Sequence, residues 1–212
     1  LSAGCASVIK PSELSPLQSH VLAQALHEAD LPPGAFNILL GRGQDVGDEI
    51  STSPGVARIS FTGSTATGKV IARAAVDTMK RVGLSLSGKC ASLILDDAEL
   101  DNAVPQPVAA AFVNNGQACV AGSRLLVPRA RAGEIVERVQ AAVPAMRVGD
   151  PRDADTAVGP LASRAQFERV RGFIRRGIEE GATLVAGGEE RPAGLERRLF
   201  VRPTVLSEVR PD

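Results

Sequence analysis

The stretch Val56–Leu86, VARISFTGSTATGKVIARAAVDTMKRVGLSL, contains an apolar run, a turn with glycine, a segment of helical period and a second apolar run. The pattern predicts a strand at Val56–Phe61, a helix at Thr65–Met79 and a strand at Arg81–Leu86. A strand, a helix and a second strand in this order are typical of a βαβ unit, whose two strands are parallel. The stretch therefore predicts an α/β protein.

The same alternation continues toward both ends of the chain, which favours a mostly parallel sheet covered by helices on both faces. The predicted elements before Val56 are a strand ending at Val8-Ile9, a helix at Ser15–Ala29, a strand at Ala35–Leu40 and a short helix at Gln44–Ser51. Those after Leu86 are strands at Ser92–Leu95, Arg124–Val127, Thr183–Ala186 and near Phe200–Val205, and helices at Arg131–Ala145 and Ser163–Glu180. A helical stretch from Asp97 contains Pro105 and Pro107, which should split or kink it. The turn Ser87-Gly88-Lys89 is the best boundary between two domains, 1–87 and 88–212.

Composition excludes several kinds of partner. Hydrophobic residues make up 44% of the chain and charged residues 23%, as in an ordinary globular protein. Lys and Arg together number 24, as do Asp and Glu, and only 3% of residues are aromatic, so the chain offers nucleic acid neither a basic field nor stacking platforms. The sequence contains neither a run of about 18 apolar residues nor a signal peptide, so we expect a cytoplasmic protein without a membrane span. Leu1 has no Met ahead of it, and we expect a fragment of a longer protein.

The turn that follows the predicted strand at Val56–Phe61 resembles part of a nucleotide-binding loop. Gly63-Ser-Thr-Ala-Thr-Gly68-Lys69 matches seven positions of a P-loop, but Val70 replaces the Ser or Thr that would hold Mg²⁺, which argues against ATP or GTP hydrolysis. What remains is a turn that opens a helix capped by Ser64 or Thr65, where free amides and the helix dipole favour an anion. A plain strand-to-helix turn is the alternative interpretation. Gly41–Gly47 runs G-x-G-x-x-x-G, one residue longer than the dinucleotide fingerprint, and is weak support by itself.

The three cysteines differ in their surroundings. Cys5, Cys90 and Cys119 are far apart and form no C-x-x-C pair, so neither a disulfide framework nor a metal site is predicted. Cys5 in a strand and Cys90 beside one are interpreted as small packing residues. Cys119 lies among small and polar residues, Asn114-Asn-Gly-Gln-Ala-Cys-Val-Ala-Gly-Ser, where backbone amides can approach a thiolate, and is the candidate reactive thiol.

Four segments resemble the aldehyde dehydrogenase superfamily and occur in the order that the family has. They are Ile9-Lys-Pro-Ser-Glu13, Phe61-Thr-Gly-Ser-Thr65, Leu84–Lys89 and Asn115–Arg124, and weaker matches at Val148–Pro151, Gly159-Pro160 and Pro203–Val205 extend the likeness through the chain. The resemblance implies an aldehyde dehydrogenase-like α/β fold. Residues 1–87 would then be part of a Rossmann-like NAD-binding domain and residues 88–212 part of the catalytic domain, in a parent protein that is a homo-oligomer.

The resemblance also implies a cofactor site in the first half of the chain. Lys10 and Glu13 would contact the adenosine ribose, Gly41 the adenine side, Gly63 and Ser64 the pyrophosphate, and Leu86 the nicotinamide through its backbone. Glu13 favours NAD over NADP, because its carboxylate would accept hydrogen bonds from the ribose hydroxyls and repel a 2′-phosphate.

By the same resemblance, Cys119 is the nucleophile that attacks a small-molecule aldehyde to form a thiohemiacetal and then a thioester, with its own amide among the oxyanion donors. One departure matters for the second half of the reaction. The family pattern Glu-Leu-Gly-Gly-Lys is replaced here by Ser85-Leu-Ser87-Gly88-Lys89, so Ser85 stands at the position of the general-base glutamate.

Three functions are consistent with these residues. The first is NAD-dependent oxidation of an aldehyde to a carboxylic acid. The second is a coenzyme A-acylating aldehyde dehydrogenase, which needs no water-activating carboxylate. The third is a catalytically silent dinucleotide-binding fragment, since Ser85 and Ser87 depart from the pattern. The sequence does not indicate which aldehyde would be the substrate.

Overall fold

The computed structural model describes residues 1–210, which form two compact units, 1–87 and the residues from Gly88 onward. The helices are α1 (Pro16–Glu28), α2 (Asp48–Thr52), α3 (Thr65–Val76), α4 (Leu100–Ala103), α5 (Pro105–Phe112), α6 (Ala132–Ala142) and α7 (Arg164–Glu179). The strands are β1 (Ser7–Ile9), β2 (Phe36–Ile38), β3 (Arg58–Gly63), β4 (Arg81–Leu86), β5 (Ala91–Leu93), β6 (Arg124–Leu126), β7 (Thr183–Ala186) and β8 (Val205–Ser207).

The first unit contains two pairs of parallel strands. β1 pairs with β2, and β3 pairs with β4 over six residues, from Arg58 opposite Arg81 to Gly63 opposite Leu86. The βαβ unit predicted from the opening stretch is confirmed. Its helix ends at Val76 rather than Met79, because Met79 adopts a left-handed φ of 52° and the amide of Lys80 turns back to the carbonyl of Ala75.

The second unit is built around the helices α4, α5 and α6. Its core consists of Ile94, Leu100, Val104, Val108, Ile135, Val139 and Val143. The predicted break in the helical stretch is confirmed, since α4 ends at Ala103 and α5 begins at Pro105, which has no amide hydrogen to donate.

Strand pairing in this unit is mixed. β5 pairs with β6 in parallel, whereas β7 and β8 are antiparallel. The last strand begins at Val205, later than the predicted Phe200–Val205, because Pro203 cannot donate to a ladder and Phe200 is buried in an irregular segment instead.

The predicted cover of helices over both sheet faces is incomplete in residues 1–210. α1 contains no buried residue, and Leu17 and Val21, on its apolar face, are 77% and 64% exposed. The face is apolar by pattern but has no packing partner in this part of the chain, so periodicity predicted the helix and not its burial.

Close packing of α3 on β4 depends on Gly68. A Cβ at this buried glycine would lie 2.5 Å from Cδ2 of Leu86, so the leucine would have to move. We expect Gly68→Ala to lower the free energy of unfolding by about 1 kcal/mol, because overpacking outweighs the gain in helix propensity. Urea denaturation measures the change. The matched control is Gly172→Ala in α7, where an added Cβ meets nothing within 4 Å and should raise stability by roughly 0.5–1 kcal/mol; equal effects of the two substitutions would contradict the packing argument.

Candidate cofactor and thiol sites

Lys10, Glu13 and the loop after β2 form a polar cluster in the first unit. Lys10 Nζ donates to a carboxylate oxygen of Glu13 at 3.2 Å and to the carbonyl of Gly41 at 3.0 Å. The same Glu13 oxygen accepts a hydrogen bond from the amide of Gly43 at 2.8 Å. The structure thus brings together three of the predicted cofactor residues, Lys10, Glu13 and Gly41, and adds Gly43.

These contacts keep Glu13 ionised. Its pKa lies below the ordinary glutamate value, because the carboxylate accepts a hydrogen bond from its own backbone amide, then from Lys10 and from Gly43. The side chain is half exposed, whereas that of Lys10 is mostly covered. An ionised and accessible carboxylate can accept hydrogen bonds from ribose hydroxyls, and it disfavours a phosphate in the same place.

The loop that carries Gly41 and Gly43 differs from the predicted helix at Gln44–Ser51. It forms a π-helical turn over Gly43–Gly47 and continues into α2. A Cβ at Gly41 would collide with the Val46 side chain, so the turn requires a residue without a side chain at this position.

The start of α3 has the features of an anion site. Ser64, not Thr65, is the N-cap residue, and its hydroxyl accepts a hydrogen bond from the amide of Thr67 at 3.1 Å. Ahead of it, a Cβ at Gly63 would lie 2.5 Å from the ring of Phe61. Because Gly63 has no side chain, an anion can approach the backbone at the start of α3, where the helix dipole favours negative charge.

The remaining predicted residues of this unit lie at the end of β4, beside the end of β3. Leu86 is paired with Gly63 and packs its side chain against Gly68, while Ser85 is paired with Thr62 and is exposed. Gly63, Ser64, Ser85 and Leu86 therefore share the carboxyl edge of one parallel strand pair, which is where α/β proteins bind ligands.

In the second unit, Cys119 lies in a loop that reverses the chain after α5. Asn114, Asn115 and Gly116 adopt left-handed φ values of 50°, 59° and 71° in succession. Asparagine and glycine are the residues that tolerate this conformation, so the Asn-Asn-Gly sequence suits the turn. Cys119 follows as an exposed free thiol. Within residues 1–210 the amides of Cys119 and Val120 donate no hydrogen bond, which leaves both donors for a ligand.

The interpretation of the other two cysteines as packing residues is wrong. Cys5 precedes β1 rather than lying in it, and both Cys5 and Cys90 are exposed free thiols. Cys90 lies against the loop of the candidate nucleophile, with its sulfur 3.5 Å from the carbonyl oxygen of Cys119. Apolar neighbours in the sequence predicted a strand, but they do not determine which side chains are covered.

Three hydrogen bonds of the cysteine loop were not predicted from the sequence. The side chains of Asn115 and Gln117 bond to the backbone of Gly159, Pro160 and Ala162. The Asn-Asn-Gly sequence signals a left-handed turn, but no local signal identifies a partner 44 residues away.

No group of three or more His, Cys, Asp or Glu side chains in residues 1–210 is arranged to hold a metal ion. In the same residues, no helix is both long and apolar enough to cross a membrane.

The first unit contains a helix start suited to an anion and an ionised carboxylate, and the second contains a loop thiol with free amides in its loop. These features are characteristic of oxidoreductases that use a dinucleotide and a cysteine. The chain belongs to the aldehyde dehydrogenase family, whose model matches residues 1–212.

Known relatives and solved structures agree with this assignment. The chain is 46% identical over 209 residues to a 3-succinoylsemialdehyde-pyridine dehydrogenase of a Pseudomonas species, covering 99% of the chain and 44% of that protein. It is 40% identical to the mitochondrial succinate-semialdehyde dehydrogenase of Arabidopsis thaliana, covering 99% of the chain and 39% of the relative.

Among solved structures, a cysteine-to-alanine variant of aldehyde dehydrogenase C from Pseudomonas syringae, in complex with NAD⁺ and octanal, matches with a TM-score of 0.96 and 46% identity, over 99% of this chain and 43% of that one. The chain thus spans less than half the length of the relatives that it matches. The aldehyde dehydrogenase-like α/β fold predicted from the sequence is confirmed.

Proposed function

We propose that the protein carrying these residues oxidises an aldehyde to a carboxylic acid with NAD, through a thioester on Cys119. The observation that carries the proposal is the exposed Cys119 thiol beside two backbone amides that donate to no residue of 1–210. The solved relative from Pseudomonas syringae supports it, since it was crystallised with NAD⁺ and octanal after a cysteine was replaced by alanine.

The chemistry of Cys119 follows from its surroundings. Its thiolate attacks the carbonyl carbon of the aldehyde, and the oxygen of the resulting thiohemiacetal becomes an anion that the Cys119 amide can stabilise by hydrogen bonding. NAD, when bound, supplies the acceptor for the hydride that leaves this carbon. A thioester then remains on Cys119, and its hydrolysis returns the free thiol and releases the acid.

The residues of the first unit fit NAD. Glu13 offers an ionised carboxylate to the ribose hydroxyls, Lys10 and Gly43 hold that carboxylate in place, and the start of α3 at Gly63 and Ser64 is suited to the pyrophosphate. Residues 1–87 accordingly serve as the cofactor-binding part and residues 88–212 as the part with the nucleophile. Homo-oligomeric assembly of the parent protein, which the family resemblance implies, and a cytoplasmic location complete the proposal.

A cofactor preference for NAD over NADP follows from Glu13. We expect Glu13→Gln to weaken NAD binding by about tenfold, the effect of losing hydrogen bonds to a charged group, and to leave NADP binding unchanged or stronger. Isothermal titration calorimetry with both cofactors measures the four affinities. Glu28→Gln removes a carboxylate whose side chain contacts Gln24 in α1, and serves as the control. Tighter binding of NADP than of NAD by the unsubstituted protein would show that Lys10 outweighs Glu13.

The proposed reaction is tested by following NADH formation from an aldehyde in the complete gene product. NADH formation that needs no added thiol supports hydrolytic oxidation. Formation that requires coenzyme A would instead support the acylating alternative, and binding of NAD without any turnover would support the silent one.

A further inference from the structure

The cysteine loop contains few hydrogen bonds of its own. Its backbone has short-range bonds from the Gln117 amide to Asn114 at 3.0 Å, from Ala121 to Ala118 at 3.1 Å and from Ser123 to Ala121 at 2.8 Å. A loop of this kind, without a ladder or a continuous helix, needs contacts from outside to keep a side chain in one place.

Asn115 provides such a contact through both polar atoms of its side chain. Its Oδ1 accepts a hydrogen bond from the amide of Gly159 at 2.5 Å, and its Nδ2 donates to the carbonyl of Pro160 at 3.1 Å. A Cβ at Gly159 would lie 3.4 Å from Nδ2 of Asn115, so the amide group rests directly on the bare backbone. Two residues later, Oε1 of Gln117 accepts from the amide of Ala162 at 3.1 Å.

The segment that receives these bonds is firmly held. Val158 and Leu161 are buried. The amide of Val158 donates to Arg147, its carbonyl accepts from Gly149, and the amide of Leu161 donates to the carbonyl of Leu199 at 2.9 Å. Asn115 therefore joins the loop to a fixed part of the second unit.

We propose that Asn115 is a positioning residue, which holds the Cys119 loop against Gly159 and Pro160 so that the Cys119 thiol and the free amides of Cys119 and Val120 keep one arrangement in which they can meet a bound aldehyde. The proposal rests on the assignment of Cys119 as the nucleophile. The proposed role belongs to the Asn115 side chain and not to its backbone. Glycine can adopt the same left-handed conformation, so Asn115→Gly removes the side chain without straining the turn.

The test compares Asn115→Gly with Asn114→Gly in the complete gene product. Both substitutions place glycine at a left-handed position of the same turn. Within residues 1–210, however, the hydrogen bond that the Asn114 side chain makes is to the carbonyl of Gln117 in its own loop, at 3.5 Å. Iodoacetamide labelling followed by peptide mapping gives the alkylation rate of Cys119 relative to Cys5, which is an internal reference in the other unit. This ratio does not depend on turnover, so it remains informative even if the proposed oxidation of aldehydes fails.

We expect Asn115→Gly to lower the ratio roughly tenfold, because a loosened loop no longer holds its amides where they can stabilise the thiolate, and Asn114→Gly to leave the ratio unchanged. Asn115→Asp keeps the acceptor for Gly159 but loses the donor to Pro160, so its labelling ratio should lie between those of the unsubstituted protein and Asn115→Gly. In an active protein, the rate constant of the NADH burst should drop about 10- to 100-fold in Asn115→Gly with NAD affinity unaltered, because the loop positions the attacking thiol and the burst reports acylation. An unchanged or higher labelling ratio in Asn115→Gly, or an equal fall in Asn114→Gly, would overturn the proposal.

Discussion

Replacement of Cys119 by alanine should abolish the formation of NADH from an aldehyde while leaving NAD binding intact. The substitution removes the atom that, in the proposed mechanism, forms the covalent bond to the carbonyl carbon, and no other group of the loop can replace a thiolate in that role. We expect kcat to fall by roughly 10⁴-fold or more, as for other covalent nucleophiles. Stopped-flow absorbance of NADH measures the rate, and calorimetry measures NAD affinity on the same preparations.

The control for this prediction is Cys5→Ala, which removes an exposed thiol from the first unit. It should leave both turnover and NAD affinity unaltered. If Cys119→Ala retained substantial activity, the nucleophile would have to be another residue. Loss of NAD affinity in Cys119→Ala would indicate instead that the substitution disturbs more than the chemistry.

The positions of strands were predictable where the sequence itself marks both ends of the element. β4 at Arg81–Leu86 and β7 at Thr183–Ala186 have the predicted bounds, because each is a short segment with several apolar residues that is followed directly by a turn containing glycine. β8 was misplaced because Pro203 interrupts the pairing, which depends on the partner strand as much as on the run itself.

The candidate sites were predictable as individual residues and not as contacts. Family motifs pointed to Glu13 and Cys119, but the bond from Gly43 to Glu13 spans 30 residues and the bond from Gly159 to Asn115 spans 44. Local sequence cannot specify such pairs. Burial was similarly out of reach, since Cys5 and Cys90 have strand-like neighbours and yet are exposed.

Ser85 should make release of the acyl group the slow step. Attack of water on a thioester needs a base with a pKa near the working pH, a role that glutamate can fill and that the neutral hydroxyl of serine cannot. Ser85 is exposed on β4, opposite Thr62, and the family glutamate is absent from this position. A protein with Ser85 should therefore release a burst of about one NADH per Cys119 and then turn over slowly, unless an added thiol accepts the acyl group.

Restoring the carboxylate tests this account. We expect Ser85→Glu combined with Ser87→Gly to speed the slow phase by about 10²- to 10⁴-fold, the usual contribution of a positioned base, and to leave the burst amplitude unchanged because acylation precedes the step that needs the base. Ser87→Gly alone is the control, since it restores the family glycine without adding a base. Stopped-flow measurement of NADH resolves both phases. Fast steady-state hydrolysis in the Ser85 protein without added thiol would mean that another residue supplies the base, because the hydroxyl of Ser85 does not ionise at neutral pH.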